Sequence, residues 1–475
     1  MKYISGKKIT MTEPKKTNET EALGTERIGK LLPRLAFPAI TAQLVNLLYN
    51  LVDRMYIGHI EGVGKLALTG VGICLPLILL ISAFAALAGM GAAPRASIFL
   101  GKGEKENAEG TLGNSFTLLL SMSAVLTVTF SVFARPLLLA FGGSENTIGY
   151  AMEYMAIYSL GTVFVQLTIG LNPFISAQGF AKKSMLTVCI GAVCNIILDP
   201  IFIFGFGMGV KGAALATILS QAISALWILR FLTGKETTLR LRKKHMKPRR
   251  ELLVPSVLLG LSPFIMQSTE SLIAVCFNSS LLKYGGDIAV GSMTILTSVM
   301  QFALMPLQGL TQGAQPIISF NFGAGHMGRV KETFRILFTS CLTYSMLLWL
   351  CVMFVPEFFV KIFNNDTELV AFASRAIRIY MGATGLFGIQ IACQQTFISL
   401  GNAKSSLFLA LLRKVILLVP LIYILPAFLP GFLGVDKATA VFMAEPVADF
   451  LAVTATSILF GIQFKKACGT GENKG

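Results

Sequence analysis

Histidine and cysteine give this sequence little chemistry to work with. The three histidines (His59, His245, His326) fall in or beside expected loops and show no ligand spacing. The eight cysteines (Cys74, Cys189, Cys194, Cys276, Cys341, Cys351, Cys393, Cys468) form no CxxC pair, and most lie inside apolar runs. Small buried residues are the plain reading of such cysteines. A metal centre, a disulfide framework and a cofactor are therefore not expected. No P-loop, GxSxG or HExxH element appears, which removes the usual phosphate-binding and hydrolytic signatures and leaves no enzyme reading. Charge is scarce as well: 13% of residues are charged, against roughly 25% in soluble domains.

What is abundant is apolar length. The mean hydropathy is +0.70 and 54% of the residues are hydrophobic. A bilayer span takes about 20 such residues. The pattern predicts an all-α integral membrane protein with twelve transmembrane helices, over 35–57, 66–99, 112–140, 148–178, 184–205, 210–232, 252–282, 288–320, 334–356, 368–400, 405–430 and 437–464. Several are long enough to tilt. Pro76, Pro173, Pro263 and Pro306 lie inside spans, as membrane helices tolerate where neighbours satisfy the freed backbone. The first 30 residues are polar and lack the apolar core of a signal peptide. The expected division is a cytosolic tail at 1–34, an N-lobe at 35–232, a basic cytosolic linker at 233–251, a C-lobe at 252–464 and a second cytosolic tail at 465–475.

The net charge of +16 is a topology signal. Of the 40 lysines and arginines, 31 fall in the tails, the even-numbered loops and their flanks; 8 fall in the odd-numbered loops, and Arg54 lies within the first span. The positive-inside rule then puts both termini in the cytosol of a multi-pass cell-membrane (plasma or inner membrane) protein. No nucleic-acid partner is implied. The densest basic run, Arg240 to Arg250, reads either as a linker obeying that rule or as a contact for anionic membrane lipids.

The sequence also repeats itself. Gly91, Pro94, Gly101 and Gly103 map onto Gly313, Pro316, Gly323 and Gly325 at a constant offset of 222, and Phe116 maps onto Phe338. Each half has six spans and starts on the same side, so the halves are parallel repeats about an axis along the membrane normal, a layout of secondary transporters. Gly91/Pro94 and Gly313/Pro316 are the candidate pivot. Because the duplication lies within one chain, a monomer suffices and no obligatory protein partner is expected.

At these motifs the chain resembles the multidrug and toxic compound extrusion (MATE) family, in its bacterial exporter subgroup. The stretch from Asn50 through Asp53 and Arg54 to Gly58 is similar to that family's VDxxxxG element. Asn172 to Gly179 and Asn195 to Pro200 resemble its fourth and fifth helices, and Pro306 to Pro316 its eighth. The resemblance covers about residues 30 to 465. It implies two six-helix bundles in a V, exporting organic, often cationic, compounds against entering H⁺ or Na⁺.

Ionisable residues inside spans are functional candidates by default, because a buried carboxylate needs a partner, water or a proton. Asp53 ends a polar stripe, Gln43, Asn46, Asn50 and Asp53, on one helix face. That stripe is expected to line a wet cavity. Asp199 precedes Pro200, which frees a carbonyl near Ile196; with Asn195 it offers oxygen ligands for a hard cation or acceptors for a proton. The resemblance implies that Asp53, Asn195 and Asp199 form the coupling site, with Na⁺ there if Na⁺ is the ion. Some family members carry a cation-binding glutamate on the seventh helix; Glu270 answers to it, with Gln267 nearby, and a structural polar contact is the competing reading. Glu445 and Asp449, spaced i, i+4, are either substrate-cavity contacts or structural. Asn172 and Gln178 complete the expected cavity lining. The tenth span carries no aspartate at mid-height, unlike some members, so a Na⁺ site of that kind is not expected in the C-lobe. The partner of Arg54 is left open. Met266, Met293, Met300 and Met305 are either cavity lining or ordinary packing.

The expected activity is antiport of organic compounds by alternating access. The alternative is a flippase for lipid-linked precursors, of the same superfamily, which would need a basic central cavity; the charges expected at mid-span are mostly acidic.

Overall fold

Apolar runs punctuated by glycine and charge become helices, and no strand occurs among the described residues. The computed structural model describes residues 19–469; the expected tail segments 1–18 and 470–475 lie outside the described residues. A short α1 (Glu19–Thr25) precedes α2 (Ile28–Gly58), α3 (Gly64–Gly101), α4 (Lys105–Ala140), α5 (Ile148–Leu160), α6 (Thr162–Ala177), α7 (Ala181–Pro200) and α8 (Val210–Thr233). After a linker come α9 (Arg250–Gly323), α10 (Met327–Phe354), α11 (Pro356–Lys361), α12 (Thr367–Tyr380), α13 (Thr384–Ser399), α14 (Ala403–Leu411), α15 (Val419–Leu433), α16 (Lys437–Phe442) and α17 (Ala444–Gly469). Short π-helical turns continue α7 (Ile201–Gly205) and join α14 to α15 (Leu412–Leu418).

Nine helices among the described residues are long and apolar enough to cross a membrane, or eleven when each bent pair, α5–α6 at 59° and α12–α13 at 47°, counts as one span. The 74-residue α9 is itself two spans: Gly286, at φ 65° and ψ −161°, breaks it. A left-handed φ of that kind favours glycine. Twelve spans result, as expected from the apolar runs. The first begins at Ile28, ahead of the expected 35.

The repeated glycines sit where the two halves cross. A side chain at Gly91 would collide with the backbone of Ser256 and Gly260 on α9, and one at Gly260 with that of Leu87 on α3. The related position Gly313 faces Ala36 on α2: a Cβ there would lie 2.6 Å from the Ala36 Cα. Gly101 and Gly323 make reciprocal close approaches, to Phe320 and Ile98, and Ser97 Oγ donates to the Pro316 carbonyl. Pro94 and Pro316 are buried beside these crossings. The seam thus uses the same motif twice, once from each half. Phe84 and Phe264 meet across the halves at 5.0 Å. Overpacking such a seam costs roughly 1–3 kcal/mol or more. Gly313→Val should therefore lower the melting temperature and the yield of monodisperse protein. Gly72→Val, with nothing within 4 Å of its Cβ, should change neither; a thermal-melt comparison in detergent checks both.

On the face where the linker lies, Thr20 Oγ1 of α1 donates to the Gln178 carbonyl at 2.8 Å. The Leu23 carbonyl of α1 accepts from Asn321 Nδ2 at 2.8 Å and Arg329 Nη2 at 3.1 Å. The helix therefore touches both halves. The linker is anchored too. Gln178 Oε1 accepts from Thr237 Oγ1, Thr238 N and Leu239 N at 2.8–2.9 Å. The buried Glu109 pairs with Arg242 at 3.3 Å, and Asn114 Nδ2 donates to the His245 carbonyl.

Candidate functional site

Helices α2, α7 and α8 bring the expected N-lobe residues together. The Asp53 and Asp199 carboxyls touch, a contact that one shared proton would turn into a hydrogen bond. Asn195 Nδ2 donates to Asp199 Oδ1 at 3.2 Å, four residues away on one helix face, and reaches Thr217 Oγ1 of α8 at 3.5 Å. Asp199 is fully buried and Asn195 nearly so. Tyr49 lies beside both carboxyls, and Tyr154 beside Asp53 and Thr217. Pro200 is followed by the π turn Ile201–Gly205. A single π turn of this sort is frequent at functional sites.

Three oxygens in this cluster, Asp53 Oδ1, Asp199 Oδ2 and Asn195 Oδ1, are buried with no hydrogen-bond donor. Buried acceptors are normally satisfied. Two carboxylates in contact, both ionised, would repel strongly. A proton or a small hard cation answers both problems. No cluster of three or more His, Cys, Asp or Glu side chains suited to a metal occurs among the described residues. The chemistry offered is two carboxyls and an amide oxygen, which suits H⁺ or Na⁺.

The rest of the polar stripe runs along α2. Asn46 and Asn50 are exposed and Gln43 half-buried; Asn50 Nδ2 donates to the Asn46 carbonyl of its own helix. Asn172 is half-buried, donating weakly to the Ser184 carbonyl at 3.4 Å. Gln178, expected at the cavity wall, is instead fully buried and spends its side-chain oxygen on the linker, as described above. A glutamine at a helix end offers backbone donors the same acceptor that a ligand would use, and spacing along the chain does not distinguish the two.

The C-lobe holds a second cluster that differs from expectation. Arg413 and Lys414 count, by sequence, as flanks of the loop before the eleventh span. They sit within that span, in the π turn Leu412–Leu418, and both are buried. Arg413 Nε bonds Asp449 Oδ1 at 2.6 Å and its Nη2 reaches Glu445 Oε1 at 3.0 Å. Its guanidinium lies 4.4 Å from the Phe387 ring centroid. Lys414 Nζ reaches Glu270 Oε1 at 2.8 Å. Adjacent residues on a helix point about 100° apart, so the two cations serve different neighbours: Arg413 turns to α17 and Lys414 to the first arm of α9. For Glu445 and Asp449 both a substrate-cavity and a structural reading stood open; they are inward partners of Arg413. Glu270 remains open, with its side chain 54% exposed, and Gln267 is half-buried beside it. Met293 and Met300 are core residues; Met266 and Met305 are half-buried. Arg54 is exposed.

The two clusters occupy equivalent helices, the first, fifth and sixth spans of one half and the seventh, eleventh and twelfth of the other. One contains no buried cation among the pairs described, the other contains two. The missed cations had a sequence signal: two adjacent basic residues about ten positions into an apolar run, facing carboxylates on other spans, need partners inside the membrane.

The MatE family's sequence profile matches residues 38–201 and 263–424. A multidrug export protein, MepA, of Staphylococcus haemolyticus is 27% identical over 90% of this chain and 92% of its own length. Its counterpart in Staphylococcus aureus is 25% identical over 86% and 89%. The solved structure of the MATE multidrug transporter DinF-BH in complex with R6G is 34% identical over 94% of this chain and 98% of its own, with a TM-score of 0.84. A MATE crystal structure in a bent conformation superposes with a TM-score of 0.88 over 96% of the chain at 22% identity, a likeness of fold.

Proposed function

The chain belongs to the MatE family of multidrug efflux transporters, and on that premise we propose that it is a secondary antiporter. It exports organic, mainly cationic, compounds in exchange for H⁺ or Na⁺. The observation that carries this reading is the contact between Asp53 and Asp199 with three unsatisfied buried oxygens around it. In the proposed cycle the N-lobe carboxyls take up the ion from outside. Occupation removes their negative charge and loosens their hold on a cationic substrate, or reshapes α2 so that the cleft closes. Rocking about the Gly91/Pro94 and Gly313/Pro316 seam then exposes the ion to the cytosol. A one-for-one exchange of two monovalent cations moves no net charge and is driven by the ion's concentration gradient alone. For each net charge that enters, the membrane potential adds about 2.3 kcal/mol per 100 mV, roughly fiftyfold in accumulation. The basic residues of the linker face support a cytosolic placement of that face in the cell membrane, with both termini inside. The N-lobe carboxyls and Asn195 hold the ion, and the exposed Asn46 and Asn50 of α2 meet the substrate nearby.

The flippase alternative needs an excess of positive charge in the cavity. Arg413 and Lys414 do lie within the membrane, but three carboxylates face them, so no observation favours that reading. Efflux of a fluorescent organic cation from proteoliposomes under an imposed Na⁺ or H⁺ gradient tests the proposal. Export should follow one gradient and not the other; transport indifferent to both would end the antiport reading.

A further inference from the structure

By formal charge the C-lobe cluster is one positive charge short. Glu270, Glu445 and Asp449 bring three carboxylates; Arg413 and Lys414 bring two cations. The buried Tyr380 hydroxyl is near enough to feel the charge of all three carboxylates. Arg413 is committed to both carboxylates of α17, with every side chain of that trio under 10% exposed. Lys414 is held differently. Its own side chain is 8% exposed, yet it reaches out to a glutamate that is 54% exposed. Lys414 also lies near Glu445.

We propose that Lys414 is a specificity-determining residue: a tethered counter-ion that occupies Glu270 until a monovalent organic cation displaces it. The arriving cation takes the exposed side of Glu270. The Lys414 ammonium moves to Glu445 and Asp449, where Arg413 alone leaves one negative charge unmatched. With the cation bound, three carboxylates face three positive charges, and every charge in the wall is paired. Neutral compounds gain nothing from this exchange, and dications overshoot it. Among the described residues no buried cation is bonded to the N-lobe carboxyls, and Arg54, whose charge acts on Asp53, is exposed; the tethered exchange belongs to the C-lobe. The inference rests on the export reading above, but it concerns binding and is tested without transport.

The test is equilibrium binding of tetraphenylphosphonium, a permanent cation, to purified protein at fixed pH without Na⁺, with triphenylphosphine oxide as the neutral control. Lys414→Met should tighten tetraphenylphosphonium binding about tenfold, since the ligand no longer competes with a tethered charge, and leave the neutral ligand unchanged. Lys414→Arg, which keeps the pair, should stay near wild type. Adding Glu270→Gln to Lys414→Met should erase the gain. A larger ligand-induced rise in melting temperature for Lys414→Met than for wild type would report the same effect on protein shown to be folded. Unchanged affinity in Lys414→Met, or equal gains for both ligands, overturns the inference while leaving antiport intact. An equal melting shift with NaCl at the same concentration overturns the assignment to an organic cation. Conversely, gradient-independent transport would end the antiport reading without touching these binding results.

Discussion

Asp53→Asn cuts coupled export by up to about a hundredfold and leaves a folded protein. The carboxyl of Asp53 touches that of Asp199, and its Oδ1 is buried without a donor. An asparagine keeps the shape, removes the charge and supplies an amide that can donate to Asp199. Repulsion inside the cluster falls, so the melting temperature should hold or rise. What disappears is the second carboxyl that makes ion uptake favourable. A charge-assisted contact is worth about 1.5–3 kcal/mol; losing the one that Asp53 makes to the entering ion should lower gradient-driven export by up to about a hundredfold. Asp199→Asn should behave alike. Asn195→Ala should be milder, since it removes one donor and one oxygen from the site. Export rate in proteoliposomes, set beside a thermal melt of the same preparations, checks all three.

Arg413→Met has the opposite signature: the protein is lost before its transport can be judged. Arg413 is the shared partner of Glu445 and Asp449, at 3.0 Å and 2.6 Å, in a site where no side chain of the three exceeds 9% exposure. Removing one partner from a buried charge network costs about 3–5 kcal/mol, because the remaining charges stay buried and unpaired. Folded yield should collapse. Replacing all three groups with Arg413→Met, Glu445→Gln and Asp449→Asn should restore much of it, since neutral residues of similar size remove the desolvation penalty along with the pairing. A recovered yield in the triple variant identifies a charge-balancing role. A single variant as stable as wild type would mean that the network contributes nothing to the fold.

How far the sequence reaches follows from which interactions are local. Twelve spans were legible because each is a continuous apolar run, and the offset of 222 exposed the two halves. Asp53 and Asp199 stood out because a carboxylate in such a run has few bland explanations, and Asn195 shares the helix face of Asp199. The C-lobe pairing was not legible. Arg413 meets residues 32 and 36 positions away, and Lys414 one that lies 144 away; only tertiary packing brings them together. Their place near the start of the eleventh span let them pass as loop-flanking charge. The π turns were equally hidden, since they change hydrogen-bond register without changing composition. Gln178 looked like a cavity residue because an amide in an apolar span is costly unless used, but the linker, about 60 residues onward, uses it. The proline kinks announced bends in general and fixed none of the angles of α5–α6 or α12–α13.

The central claim is that ion and organic cation exchange through the paired carboxyls of the N-lobe. The most direct test is counterflow: wild-type proteoliposomes loaded with an organic cation, with H⁺ and Na⁺ entry recorded as the compound leaves. The account predicts that one ion enters in fixed proportion to the compound released, and that the double variant Asp53→Asn, Asp199→Asn, folded and able to bind the compound, shows no such entry. Ion entry that persists in fixed proportion in the double variant would contradict it.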